Sequence, residues 1–281
     1  MKKIEKITEL RQIISQVKKE GKTIGLVPTM GFLHNGHLEL LKHARKDNEI
    51  VVMSIFVNPL QFGPNEDFEA YPRNMEKDLL LAEQEGADFV FAPDVSEMYQ
   101  GEPSVTIKVT KRVDVLCGKS RPGHFDGVAT VLTKLFNLVQ PEKVYFGMKD
   151  AQQVAVVRGL VDDFQFPIEI VPVQTVREND GLAKSSRNVY LSERERQEAP
   201  VLHKALLKGK ALIEQGERDL HTIKKTVEET ITAGTNAEID YLEIYQYPEL
   251  TEPKNWSGEI IIAAAVKFTK ARLIDNITLE L

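Results

Sequence analysis

The stretch Thr23-Ile24-Gly25-Leu26-Val27-Pro28-Thr29-Met30-Gly31-Phe32-Leu33-His34-Asn35-Gly36-His37 decides the fold. Its first part, Thr23 to Pro28, is a short apolar run of the kind that forms a strand buried on both faces. A loop with two glycines and two histidines follows. His37 to Asn48 then carries Leu38, Leu41 and Arg45 at helical spacing, and Ile50 to Val57 (IVVMSIFV) is again apolar and β-branched. Strand, loop, helix and strand in this order make a βαβ unit.

The same phrase recurs downstream. Asn74 to Glu85 reads as a helix stopped by Gly86, with Asp88 to Ala92 as the strand behind it. Val128, Val131, Leu132, Leu135 and Val139 lie on one helical face, and Pro141 and the strand Lys143 to Phe146 follow. Ala151 to Phe164 is a further helix and Ile168 to Val173 a further strand. This alternation predicts an α/β fold, a Rossmann-like parallel sheet with helices on both faces, over residues 1–175. After residue 175 the pattern changes. Ser192-x-x-Glu195 is a capping box that should open a helix running to about Gln215, which Pro200 either kinks or restarts. A helix from Asp219 to Thr232 and three β-like stretches, Glu238 to Gln246, Glu259 to Thr269 and Ala271 to Leu281, complete a smaller α+β domain over 176–281 that closes over the site.

Bulk properties exclude several functions. The longest apolar run, Ile260 to Val266, is too short to span a bilayer, and no apolar stretch follows the basic residues at the start, so no membrane role and a cytoplasmic location are expected. A lone cysteine, Cys117, cannot form an internal disulfide, which fits a reducing compartment. The net charge of −6 argues against nucleic acid as a partner. It does not exclude a local anion site, because a few cations in one pocket suffice.

The loop after the first strand is the strongest candidate for such a site. In open parallel sheets ligands bind at the carboxyl ends of strands, where a helix N-terminus offers N–H groups and partial positive charge to a phosphate. Gly31 and Gly36 would let a phosphate approach the backbone. His34 and His37, three residues apart, would both face it as donors. A zinc reading of H-x-x-H lacks a second pair of His or Cys, and no metal site is expected in the protein itself. Gly118-Lys119-Ser120 imitates the end of a P-loop, but Val113 stands where the loop needs its first glycine. No G-x-G-x-x-G follows the first strand.

The H-x-G-H phrase resembles that of the class I aminoacyl-tRNA synthetase and nucleotidyltransferase superfamily. The wider set is more specific: PTMGFLHNGH (28–37), FVNPLQFGPNEDFEAYPR (Phe56 to Arg73), FGMKD (Phe146 to Asp150) and REND-GLAKSSRN (Arg177 to Asn188) resemble, in order and spacing, the pantothenate synthetase (pantoate–β-alanine ligase) family over essentially the whole chain. The resemblance implies ATP-dependent condensation of (R)-pantoate with β-alanine through a pantoyl-adenylate, releasing pyrophosphate and AMP. It implies ATP as substrate, Mg²⁺ carried on its phosphates, and a homodimer.

Carried over by residue, it places Met30, Gly31, Phe32, Leu33, His34, Asn35, Gly36 and His37 around ATP, with His37 as the proton donor. Gly147, Met148, Lys149, Asp150, Val176, Lys184, Ser185, Ser186 and Arg187 complete the nucleotide pocket. Gln61 and Gln153 would hold pantoate, and Gln61 would also meet β-alanine. The chemistry suits these residue types: attack on an α-phosphate builds charge that fixed donors and cations such as His34, His37, Lys149 and Arg187 stabilise. Amide side chains suit a hydroxyl-bearing acid, since Gln both donates and accepts.

Blander alternatives remain open from the residues alone. Lys149-Asp150 also reads as a surface charge pair, Ser185-Ser186-Arg187 as a plain loop, and Gln61 as turn chemistry after Asn58-Pro59. Position 184 is commonly apolar in the resembling family, so Lys184 leaves its side-chain role open. Arg121 and His124 lie in a second basic loop, read either as a flap near the substrates or as structure. The rival functions are a nucleotidyltransferase that stops at a nucleotide conjugate, and a nucleotide- or RNA-binding protein without turnover.

Overall fold

A computed structural model describes every residue of the chain except Asn65 and Asp67, which fall inside the 56–73 stretch quoted above. The chain begins with β1 (Lys2–Ile4), α1 (Ile7–Lys19), β2 (Ile24–Thr29), α2 (Asn35–Asp47) and β3 (Ile50–Ile55). It continues with α3 (Met75–Gln84), β4 (Phe89–Phe91), the short α4 (Val95–Met98) and α5 (Leu116–Ser120), α6 (His124–Val139), β5 (Lys143–Gly147), α7 (Ala151–Asp163) and β6 (Glu169–Val173). The six strands form one parallel sheet in the order β1-β4-β3-β2-β5-β6.

The order reverses between β2 and β5. From β2 the chain winds through α2, β3 and α3 to β4, then returns through α6 to β5 on the other side of β2. By the right-handed rule for parallel crossovers, this order would put α2 and α3 on one face and α6 and α7 on the other. On the first face Leu40, Leu41 and Ala44 of α2 pack with Val27, Val51, Met53 and Val90. This corrects the helical face expected from sequence: Leu38 is only half-buried, and Arg45 pairs with Asp88 at 2.8 Å. The expected face of α6 is buried as read.

The pair β1–α1 precedes the first element expected from sequence. A three-residue strand shows no period, yet it pairs with β4 and extends the sheet by one edge. Behind it Leu10, Ile14 and Val17 line the inner side of α1, which packs on α6.

The residues segregate into two compact units. The sheet and its helices make one: Met1–Val113, Gly118–Gly147 and Val156–Val173. The other comprises Asp114–Cys117, Met148–Ala155 and Gln174–Leu281. It holds α8 (Glu193–Glu198), α9 (Val201–Glu214), α10 (Leu220–Gly234), and an antiparallel sheet of β7 (Glu238–Gln246), β8 (Glu259–Lys267) and β9 (Arg272–Glu280) in the order β7-β8-β9. α9 and α10 cover this sheet through Leu206, Ile213, Ile223, Val227 and Ile231 against Ile260, Ile262 and Ala264. The expected single helix from Ser192 is interrupted at Ala199-Pro200, since Pro200 cannot donate to the preceding turn. Its capping box is present: Ser192 Oγ accepts from Glu195 N–H at 3.3 Å and Glu195 Oε2 from Ser192 N–H at 2.8 Å. Among the described residues no helix is long and apolar enough to cross a membrane.

The burial of α1 makes a stability prediction. Leu10 is fully buried, so Leu10→Ala should cost about 2–5 kcal/mol in denaturant unfolding. A loss under about 1 kcal/mol would show that α1 is peripheral to the core.

Candidate active site

In the first unit the site is built on the loop between β2 and α2. Thr29, the last residue of β2, donates through Oγ1 to Ser54 O at 2.8 Å and accepts from Gly31 N–H at 3.2 Å. The chain then turns through two left-handed residues, Gly31 at φ +83° and Phe32 at φ +51°. Two successive amides point inward here, where Asp78 of α3 receives them. Its Oδ2 accepts from Phe32 N–H at 2.8 Å and its Oδ1 from Leu33 N–H at 2.7 Å. Asp78 is 2% exposed. The loop amides expected to face a phosphate are therefore held at two positions by the protein's own carboxylate.

The two glycines also clear space within the protein. A Cβ on Gly31 would lie 2.9 Å from Ile55 Cγ2 and 3.0 Å from Asp78 Oδ2, and one on Gly36 would lie 2.8 Å from His34 Cε1. Each makes room for a side chain of the protein itself.

His34 is the N-cap of α2. Its Nδ1 accepts from Gly36 N–H at 3.1 Å, while His37 Nδ1 accepts from His34 N–H at 3.3 Å. The rings stack with centroids 4.0 Å apart. A neutral imidazole that accepts at Nδ1 carries its proton on Nε2, so the reciprocal cap sets the tautomer of both rings. Two Nε2–H donors result, side by side at the start of a helix whose dipole favours an anion.

Gln61 is placed beside this loop. Asn58 caps a single 3₁₀ turn, Pro59–Gln61, as turn chemistry would have it. The turn also buries the Gln61 amide, whose Nε2 lies 3.2 Å from Met30 Sδ and whose Oε1 accepts from Asn58 Nδ2 at 3.1 Å. Asn58 is held in turn by Tyr99, whose hydroxyl donates to Oδ1 at 2.8 Å; burial raises the Tyr99 pKa and keeps it a donor.

The Gln61 carbonyl accepts from His124 Nδ1 at 2.7 Å and Arg121 Nη2 at 3.3 Å. Arg121 grips Glu66 with Nε at 2.6 Å and Nη2 at 2.5 Å. Burial pulls the Glu66 carboxyl upward, but Arg121 outweighs it and the pKa falls. The second basic loop thus anchors the Gln61 turn.

In the second unit, Met148–Asp150 form a 3₁₀ turn that follows Gly147 at the end of β5. Lys149 Nζ lies 3.1 Å from Asp150 Oδ2, with the lysine side chain largely covered and the carboxylate half-exposed. Gln153 is half-buried on α7, and its amide has no hydrogen-bond partner among the described residues. Its neighbour Gln152 accepts from Cys117 N–H and donates to Val115 O, a structural role.

Val176 to Lys184 form a small hairpin closed by Lys184 N–H donating to Val176 O at 2.9 Å. The Lys184 ammonium sits 2.7 Å from Glu178 Oε2. Ser185 caps the following turn by accepting from Arg187 N–H at 3.3 Å, and Ser186 is buried. Cys117 is buried between Tyr241 and Arg272, each 3.4 Å from its sulfur. Among the described residues no group of three or more His, Cys, Asp or Glu is arranged to hold a metal ion.

Sequence reasoning missed Asp78, Asn58 and, on β9, Asp275 and Asn276. The signal was a polar residue on an apolar face: Asp78 lies on the side of α3 that also carries the buried Ala82.

A parallel sheet with an H-x-G-H loop at its reversal point, paired imidazole donors and a buried amide nearby defines a nucleotide-using α/β enzyme. Comparison with known proteins then narrows it. The family described as "Pantoate-beta-alanine ligase" matches residues 2–278. The chain is 63% identical over 271 residues to the pantothenate synthetase of Bacillus pumilus, covering 96% of this chain and 94% of that one. It is 59% identical over 283 residues to that of Bacillus subtilis, covering 100% and 98%. The crystal structure of pantothenate synthetase from Thermus thermophilus matches with TM-score 0.93 at 45% identity over 99% of each chain. That of the ligase from Francisella tularensis, complexed with β-γ ATP and β-alanine, matches with TM-score 0.79 at 32% identity, over 99% of this chain and 97% of that one. The chain belongs to the pantoate–β-alanine ligase family, whose reaction is an ATP-dependent ligation.

The loop geometry carries a prediction. Asp78→Ala leaves two inward amides without an acceptor, so unfolding free energy should fall by about 2–6 kcal/mol, each such amide costing roughly 1–3. A loss below about 1 kcal/mol would mean that water replaces the carboxylate.

Proposed function

We propose that this ligase works in two steps. A carboxylate oxygen of (R)-pantoate attacks the α-phosphorus of ATP, forming pantoyl-adenylate as pyrophosphate leaves. The amine of β-alanine then attacks the acyl carbon, the C–N bond of pantothenate forms, AMP departs and the amine releases a proton. The observation that carries this reading is the tautomer lock on His34 and His37. Two preorganised N–H donors at a helix start suit charge that develops on phosphoryl oxygens.

In this reading Met30 to His37 line the nucleotide, with His37 donating the hydrogen bond of its Nε2–H to the departing oxygen. Lys149 and Arg187 oppose the phosphate charge, and Gly147, Met148, Asp150, Val176, Ser185 and Ser186 complete the pocket. Gln61 and Gln153 orient pantoate, and Gln61 also meets the incoming β-alanine. Asp78 sharpens the role of the loop: Phe32 and Leu33 shape it through their engaged amides, and phosphate contacts fall to side chains. Imidazole, ammonium and guanidinium suit phosphate oxygens better than a bare dication, so Mg²⁺ arrives on ATP as part of the substrate. A homodimer, a cytoplasmic location and closure of the smaller domain, 176–281, over the site belong to the same proposal.

Adenylation should not need the amine. Pyrophosphate–ATP exchange is expected with pantoate and Mg²⁺ alone, and exchange that requires β-alanine would overturn the two-step order.

Lys184 gives a second test. Its ammonium has Glu178 as partner, and Lys149 and Arg187 already supply cations, so the lysine replaces an apolar residue without joining the chemistry. Lys184→Met should change kcat and the KM for ATP by less than about threefold, ~0.7 kcal/mol on the rate scale. A tenfold or larger fall in kcat/KM for ATP, with folding unchanged, would place Lys184 among the catalytic cations.

A further inference from the structure

The last strand of the small sheet carries two adjacent polar residues that are both buried, Asp275 at 3% and Asn276 at 8% exposure. Adjacent residues of a strand face opposite sides, so neither side chain shares the other's surroundings. Across the ladder they meet Ala264 and Ala263, which offer no polar partner. A sheet closes more simply with apolar residues at such positions, because a buried amide or carboxylate costs desolvation unless every bond is made. Their partners therefore explain their presence.

The two N–H groups of the Asn276 amide go to two consecutive carbonyls: Nδ2 lies 2.8 Å from Met148 O and 2.9 Å from Lys149 O. Asp275 holds Arg177 by two parallel bonds, Nη1 to Oδ2 at 2.6 Å and Nη2 to Oδ1 at 2.9 Å. Arg177 also donates to Gly181 O at 3.1 Å and pairs with Ala183 across the hairpin that leads to Ser185–Arg187. Asn276 N–H donates to Asp275 Oδ1 at 2.8 Å, joining the two anchors. Nearby His203 lies 3.7 Å from Asp275; burial and Arg177 lower its pKa while Asp275 opposes them.

We propose that Asn276 is a positioning residue for catalysis, setting where Lys149 stands by fixing the carbonyls on either side of its Cα, with Asp275 doing the same for the hairpin before Arg187. This rests on the reading of Lys149 as a donor to the nucleotide phosphates. A donor aimed at developing charge is useful only in register, and a misplacement of about 1 Å costs on the order of a hundredfold in rate.

The test is pantoate-dependent pyrophosphate–ATP exchange by the full chain, measured for wild type, Asn276→Ala, Asn276→Ser, Lys149→Ala and the double variant Lys149→Ala/Asn276→Ala. Asn276→Ala should lower kcat by about tenfold or more with the KM for pantoate within about threefold, and Asn276→Ser, with one donor, should recover part of the loss. If Asn276 acts through Lys149, the double variant falls no further than Lys149→Ala alone. A kcat within about threefold of wild type in Asn276→Ala, or a double variant that loses the product of the two single effects, overturns the proposal while Lys149 keeps its role. Unchanged exchange in Lys149→Ala locates the failure in the reading of the site and removes the premise. If the alanine variant is recovered unfolded, Asn276→Ser serves the same comparison: wild-type kcat there refutes the proposal, and a reduced kcat at unchanged KM supports it.

Discussion

The candidate site depends first on one carboxylate. Without Asp78, the left-handed turn at Gly31 and Phe32 would leave two inward amides unsatisfied, and the chain would have no reason to leave β2 in this direction. Satisfied, the turn delivers His34 to the N-cap of α2 and lets the two rings stack. The acid comes from α3, a later element of the same face. The geometry of the site therefore depends on the packing of α3 beside the β2–α2 loop.

The second unit repeats this logic with different chemistry. There the anchors sit on β9, near the far end of the chain, and hold backbone carbonyls and a guanidinium. In both units a buried polar side chain from a regular element holds a loop at the end of another. This is how loops acquire the precision that reacting groups demand: the loop residues carry the chemistry and the sheets carry the coordinates.

Much of the architecture was legible because it is periodic. Apolar runs separated by helical faces located β2 to β6, and Pro200 warned of the break between α8 and α9. What escaped was either too short to show a period, like β1, or non-local, like the bond from Asp78 to residues 32 and 33. The apolar positions of α1 were there to be read. The glycines of the β2–α2 loop show where a local reading stops. Sequence reasoning foresaw that Gly31 and Gly36 clear space, but what enters that space, Ile55, Asp78 and the His34 ring, depends on packing no local pattern encodes. The Lys149–Asp150 pair is one of the readings open from sequence, whereas the partner of Lys184, Glu178, is one that charge counting cannot assign.

The reciprocal cap also explains why the residues at 34 and 37 are histidines. Serine, asparagine or aspartate at either position could accept the same backbone N–H, and lysine or arginine could offer a donor to an anion. None of them does both through one rigid ring. Imidazole separates its two nitrogens across a flat frame, so the bond made inward at Nδ1 dictates the polarity presented at Nε2. Helix initiation and reactivity are thus written into a single side chain, and substitutions can divide them: an aspartate here would keep the cap and silence the donor.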